Sequence, residues 1–432
     1  MRANLLESGA HHHSNLELTM PAAEPSPTNL HLLTRNPIFT AAKTVWGYEI
    51  QTTASLTSDP QPDTPQTNVG AAVISGDYIG LNTILARNKK ILLSYTREQL
   101  RKQVPYAFPS QSSAILISAE QQNDPVLVPA LEQMAADGHT IALEWNSRVT
   151  PASEIMDVAA VLCLSSPDLG AELGAIPGGK TVIARNVTTR EELESLQRLG
   201  VTLFQGRFFK TPEIIPGKKL SSHQNSRLQI LRVIEDESPD LDRLARTIQA
   251  DVSLSYRLLT YLNSPTFGFM RKIDSIRQAI TLLGWINVRN WLRAVLLADM
   301  AQGEVQTELL HLSLWRGKFL EQTVAGHDYW DFKPDEMFLL GMFSLLDAIL
   351  GIPMADALAF LPLNDAQKKA LRGENTTEYM PLITLMLAFE DHDEESLGRV
   401  LQDLNLERKT MSRVHCEAGA WAASILEVGQ GA

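Results

Sequence analysis

A glycine-rich string, GAIPGGKT at 174–181, matches the phosphate-binding loop pattern letter for letter. Such a loop grips phosphate only where a strand enters it and a helix leaves it, so that the first helical N–H groups face the anion. Here a helix-like stretch at 168–173 enters, an apolar strand at 182–185 leaves, and no acidic strand for magnesium follows. The expected structure is a turn with a glycine-rich bend. Two His–Asp dipeptides, His327-Asp328 and His392-Asp393, carry metal-ligand chemistry, but one lies past a helix end and the other in the acidic run 390–395. Both are read as solvated polar pairs. His11-His12-His13 sits in a Pro-containing stretch with few large apolar residues and is read as an incidental tract. Ser94, Ser118 and Ser344 have no neighbouring His-plus-acid arrangement in the sequence. Cys163 and Cys416 are too few for a cysteine-rich zinc site or a disulfide framework, which sets a reducing cytoplasm as the expected compartment.

The elements that must position such residues fall into two halves. The chain has 432 residues, 44% hydrophobic and 20% charged, with net charge −12: a folded protein with length enough for two or three domains. The acidic balance argues against broad binding of a nucleic-acid backbone. No stretch reaches the roughly 18 consecutive apolar residues of a membrane span. The best candidate, 337–350, is interrupted by Ser344 and Asp347 and reads as one buried core helix. Residues 1–28 read as a disordered arm. From 29 to 211, strand patterns at 45–50, 91–95, 114–118, 140–144, 161–164, 182–185 and 201–205 alternate with helix-like stretches such as 124–137 and 189–199, while 58–66, with three Pro, reads as a loop. Gly138 and Gly200 suit left-handed helix ends. This spacing indicates parallel strands covered by helices. Residues 212–225 read as a linker. From 226 to 428 only helical periodicity remains: Asp240, Asp251 and Ser275 stand where N-caps belong, Asn287 precedes the apolar set Val288, Trp291, Leu292, Val295 and Leu296, and Gly284 is a stop.

The first half resembles the EAL domain, the family of cyclic-di-GMP phosphodiesterases. The likeness runs through RNPIF at 35–39, VWGYE at 45–49 and, most sharply, LFQGRFFKTP at 203–212. The second half resembles the HDOD domain, a helical relative of the HD phosphohydrolases, through Asn263-Ser264, the SI-x-QAI string at 275–280 and Leu283-Gly284. The resemblance implies a fold class of α/β plus all-α: a degenerate TIM-like (β/α) barrel, shortened and irregular, followed by an all-helical domain.

Active EAL relatives need carboxylates at the C-terminal strand ends, where two metal ions activate a water. Carried over by resemblance, the signature Glu is Glu49, but it reads Glu49-Ile50-Gln51 and its following basic residue is absent. The strand Asn is replaced by Ser94, the next Glu by Ser118, and the paired Asp residues by Glu144-Trp145. Ala159-Ala160 stands where a Lys is expected, Arg185 replaces a Glu, and Gln205 is kept. A guanidinium where the metal belongs is unfavourable, and losing several members of a reacting set removes most of its rate enhancement. The expectation is no phosphodiesterase activity, no resident metal or cofactor, and no cyclic-di-GMP binding. In the second half, Ser344 and Leu345 occupy the positions of the HD metal dyad. The function expected is a bacterial signalling or scaffold role through protein contacts, with a protein partner or a second copy of the chain. Tyr261, Phe267, Phe269, Arg271 and Lys272 are the candidate partner surface. The rivals are a weak metal-dependent cyclic-di-GMP phosphodiesterase acting through Glu49, Glu144 and Gln205, and a cyclic-di-GMP sensor that does not hydrolyse.

Overall fold

A computed structural model describes residues 32–53, 81–145, 151–165, 174, 176, 178–214, 219–235, 241–263, 273, 275–327, 331–359, 361, 363–374 and 378–430. Eight strands close into a barrel in sequence order: β1 (Leu32–Thr40), β2 (Val45–Thr53), β3 (Lys90–Ser94), β4 (Ser113–Ile117), β5 (Thr140–Glu144), β6 (Val161–Ser165), β7 (Thr181–Val187) and β8 (Leu203–Gly206). Among the described residues, the α-helices between them are α1 (Leu81–Ala86), α2 (Arg97–Arg101), α3 (Val128–Ala136), α4 (Ser153–Val158) and α5 (Arg190–Arg198). The strand periodicity therefore marks seven of the strands and misses β1, whose polar Thr34, Arg35 and Asn36 interrupt the apolar run. β1 also departs from the parallel rule: it runs antiparallel to both β2 and β8, while all other neighbours are parallel. The barrel is fully closed.

Alternation along each strand separates two cores. Ile38, Leu92, Ala114, Leu116, Ala142, Val161, Cys163, Ile183 and Leu203 fill the interior, small residues making room for the larger ones. Ile91, Leu93, Ile115, Ile117, Ile141, Leu143 and Leu162 face outward beneath the helices. Thr189 caps α5 by accepting from the Glu192 amide, and Gly138 and Gly200 take positive φ after α3 and α5, as their positions predict. One irregularity lies at the mouth. The β7–β8 register shifts between Ala184 and Val187, with Asn186 at φ 58°. Gly206 sits opposite at φ 150°, where an added Cβ would lie 2.1 Å from the Val187 carbonyl oxygen. Only Gly lets β8 close against this bulge.

Beyond the barrel the described residues form helices: α6 (Ser222–Ile234), α7 (Leu241–Ala250), α8 (Val252–Leu262), α9 (Ile276–Leu283), α10 (Trp285–Met300), α11 (Glu304–Ala325), α12 (Pro334–Phe343), α13 (Leu346–Leu350), α14 (Met354–Leu358), α15 (Asp365–Leu371), α16 (Met380–Asp391), α17 (Glu394–Asp403) and α18 (Arg408–Gln430). α6 starts inside the stretch read as linker, because Ser221 and Gln224 form a reciprocal capping box. Asp251 and Ser275 cap as expected. Asn287 does not start a helix; Gly284 does, and α10 begins at Trp285. The single helix expected over 337–350 is two, broken at Ser344-Leu345. α11 and α12 cross with their backbones in contact: a Cβ on Gly341 would lie 2.4 Å from the Arg316 carbonyl, and one on Gly317 2.8 Å from that of Phe338. The arm 1–28, Asp240, the loop 58–66 and the stretch 168–173 lie outside the described residues.

Candidate functional site

The C-terminal ends of the barrel strands carry the residues singled out by resemblance. Glu49 follows outward-facing Tyr48 on β2, and its side chain turns into the barrel mouth, 5% exposed. Arg185 ends the regular part of β7, and Gln205 stands on β8 beside the bulge. Arg185 Nη2 donates to Glu49 Oε1 at 2.6 Å, and Gln205 Nε2 donates to Glu49 Oε2 at 2.8 Å. Each oxygen of this buried carboxylate is thus engaged by an N–H donor. Burial opposes the Arg185 charge, yet neighbouring Cys163, Glu49 and Glu144 outweigh it and raise the pKa. Cys163, on the interior face of β6, is pushed up to about 12 by burial, tempered by Arg185.

The other positions contribute less. Ser94 and Glu144 are exposed at the tips of β3 and β5. Ser118 precedes a short turn, its amide donating to the Gln121 side chain. The Trp145 amide donates to the Cys163 carbonyl, and its ring packs into the outer core. So the structure brings Glu49, Arg185 and Gln205 together and leaves Ser94, Ser118 and Trp145 outside that cluster. Among the described residues no group of three or more His, Cys, Asp or Glu side chains is placed to hold a metal.

Several other readings resolve locally. Lys180 of the glycine-rich string donates to the carbonyls of Met156 at 2.7 Å and Ala159 at 2.6 Å, capping α4 rather than facing an open cradle. His327 Nδ1 bonds the Thr323 carbonyl at 2.7 Å; Asp328 lies outside the described residues. Tyr261 is 7% exposed and stacks on Trp291, with ring centroids 5.9 Å apart, which corrects its assignment to a partner surface. Phe267, Phe269, Arg271 and Lys272 lie outside the described residues.

Ser344 and Leu345 form the break between α12 and α13. Leu345 is buried. Ser344 Oγ donates to the Gly341 carbonyl at 2.6 Å and accepts from Arg316 Nη1 at 2.9 Å. Arg316 also donates through Nε and Nη2 to both oxygens of Glu390, at 2.6 and 2.7 Å. Glu390 belongs to the acidic run expected to be solvated, yet its side chain is 5% exposed. Burial alone would raise its pKa; Arg316 and Lys210 override that and bring it to about 2.

Lys210 comes from the barrel, so Glu390 lies on the seam between the two halves. Arg207 pairs with Asp391 at 2.8 Å, and Thr34 Oγ1 bonds His392 Nε2 at 2.9 Å. Farther along, Arg35 and Tyr48 both donate to Glu308 on α11, at 2.8 and 2.7 Å, with Arg35 over the Tyr48 ring. Lys89 pairs with Glu304 at 2.9 Å. The barrel contributes cations and the helical domain carboxylates. Val305 and Phe209 pack into both cores. Sequence reasoning missed this seam because each residue has its partner far away in the chain; Arg35, Tyr48 and Lys210 lay inside the strings at 35–39, 45–49 and 203–212 but carried no sign of a partner in the second half.

Residues 220–350 match the HDOD domain family. YuxH of Bacillus subtilis is 26% identical over 411 residues, covering 91% of this chain and 98% of that protein. The cyclic di-GMP phosphodiesterase CdgJ of Vibrio cholerae is 26% identical over 402 residues, covering 90% of this chain and 92% of that one. The solved structure of PaMucR phosphodiesterase in a c-di-GMP complex aligns with 45% of this chain and 99% of its own, at TM-score 0.35 and 17% identity. The EAL domain of Mycobacterium smegmatis DcpA aligns with 41% and 90%, at TM-score 0.33 and 16% identity. Among the described residues no helix is long and apolar enough to cross a membrane.

Proposed function

We propose that this chain, an EAL-type barrel followed by an HDOD domain, is a cyclic-di-GMP-related signalling protein that works by binding a protein partner and does not turn over a nucleotide. The observation that carries this reading is the capture of Glu49 by Arg185 and Gln205. A divalent cation at Glu49 must first displace the guanidinium. Breaking a buried pair leaves an uncompensated charge, at a cost of about 3–5 kcal/mol. Glu144, a second carboxylate carried over by resemblance, stands exposed at the tip of β5. Hard cations want several oxygen ligands, so this donor set does not fit a metal pair, and no hydrolytic step is assigned to it. At the second vestigial position Ser344 and Leu345 offer one hydroxyl, already bonded on both sides.

A second reading is favoured by the relative CdgJ, whose name describes a cyclic di-GMP phosphodiesterase. Purified protein with cyclic-di-GMP and magnesium or manganese separates the two. The binding reading predicts no turnover; turnover abolished by Glu49→Ala would overturn it. Calorimetry with the same nucleotide tests the sensor alternative, which requires heat of binding without hydrolysis. A pull-down with the full chain, repeated with Lys210→Met, then assigns a partner to the molecule.

A further inference from the structure

The break between α12 and α13 is tied to the end of the barrel by three side chains. Ser344 accepts from Arg316; Arg316 donates twice to Glu390; Lys210 donates to Glu390 from the barrel side. Arg316 and Glu390 are 6% and 5% exposed and Lys210 is 18% exposed, so water competes weakly for these bonds. Lys210 ends the turn Phe208–Lys210, which directly follows β8 and Gln205, and Gln205 holds Glu49. Phe208 and Phe209 pack on Phe39 of β1, with ring centroids 5.7 and 5.0 Å away. The position of Arg316 is itself fixed by the backbone contact at Gly341, three residues before Ser344.

We infer that Arg316 is the element that couples the helix break of the HDOD domain to the closing segment 203–210 of the barrel. Arg316 is a positioning residue: it sets Glu390, and Glu390 sets Lys210. A partner that shifts the Ser344 break moves Arg316 and so loosens the segment that carries Gln205. For its purpose this rests on the binding reading above; its geometry does not.

Hydrogen–deuterium exchange on the full chain tests it. Arg316→Met and Lys210→Met should each raise exchange across 203–210 by about tenfold, with 113–117 and 140–144 unchanged. The double variant should add little to the larger single effect, because both break one linked set. Unchanged exchange at 203–210 in Arg316→Met, or fully additive effects, would overturn the inference. If Arg316→Met does not fold, Ser344→Ala serves: it removes the acceptor of Arg316 together with the Ser344 bond to the Gly341 carbonyl, and it should raise exchange at 203–210 while leaving 140–144 alone. Uniform change across the barrel, or no change, counts against coupling. Phosphodiesterase turnover would overturn the binding reading and leave this result standing.

Discussion

Arg185 of β7 reaches across the barrel mouth and donates to Glu49 of β2 at 2.6 Å, with the two side chains 14% and 6% exposed. The pair ties β2 to β7 across the two strands that separate them, β1 and β8.

The first prediction concerns that pair. Arg185→Met leaves Glu49 buried with only Gln205 as a donor. It should lower stability by about 3–5 kcal/mol, the cost of orphaning one partner of a buried pair. Arg185→Glu instead adds an oxygen donor beside Glu49 and should create manganese binding, measurable by titration calorimetry. Unaltered thermal unfolding of Arg185→Met would show that the pair contributes nothing.

A second prediction tests the glycine-rich string. Lys180→Met removes charged donors from the last carbonyls of α4 and should cost about 1.5–3 kcal/mol. Neither the natural protein nor the variant should bind ATP, as read by equilibrium dialysis. ATP binding lost in Lys180→Met would reinstate the phosphate loop.

The helix crossing gives a third. Gly341→Ala drives a methyl group into the Arg316 backbone. Overpacking of this kind costs about 1–3 kcal/mol, and denaturant unfolding followed by tryptophan fluorescence should show it. An alanine tolerated without loss would mean that α11 and α12 separate easily.

pH dependence supplies the fourth. His415 is held down to about 3, by burial first and then by His392, with Glu390 opposing. Its neutral form is favoured in the fold, so its contribution is present above the ordinary histidine pKa and is lost as pH falls from about 6.5 toward 3. Glu390, at about 2, is favoured as a carboxylate; its contribution is present above the ordinary value and lost as pH falls from about 4.3 toward 2. His415→Gln should flatten the stability profile in the upper window and Glu390→Gln in the lower one. Identical profiles for all three proteins would contradict the assignment.

Much of this molecule was legible in its residues. Local signals found most strands and the caps at Ser275 and Asp251, because alternation and capping act within a few residues. The motif at 203–212 placed Gln205 at the mouth. What escaped is long-range. β1 is polar where it meets the helical domain, through Thr34 and Arg35, so its strand pattern is hidden by the very contacts that use it. Glu390 looked like part of a solvated run because its cations, Arg316 and Lys210, lie 74 and 180 residues away. Tyr261 looked like surface because its stacking partner, Trp291, belongs to another helix.

The most direct measurement is hydrolysis of cyclic-di-GMP by the purified full chain in saturating manganese, with Glu49→Ala alongside. Equal, background-level signals from both proteins are predicted. Product formed by the natural chain and lost in Glu49→Ala would show that a cation displaces Arg185, and the non-catalytic account would fall.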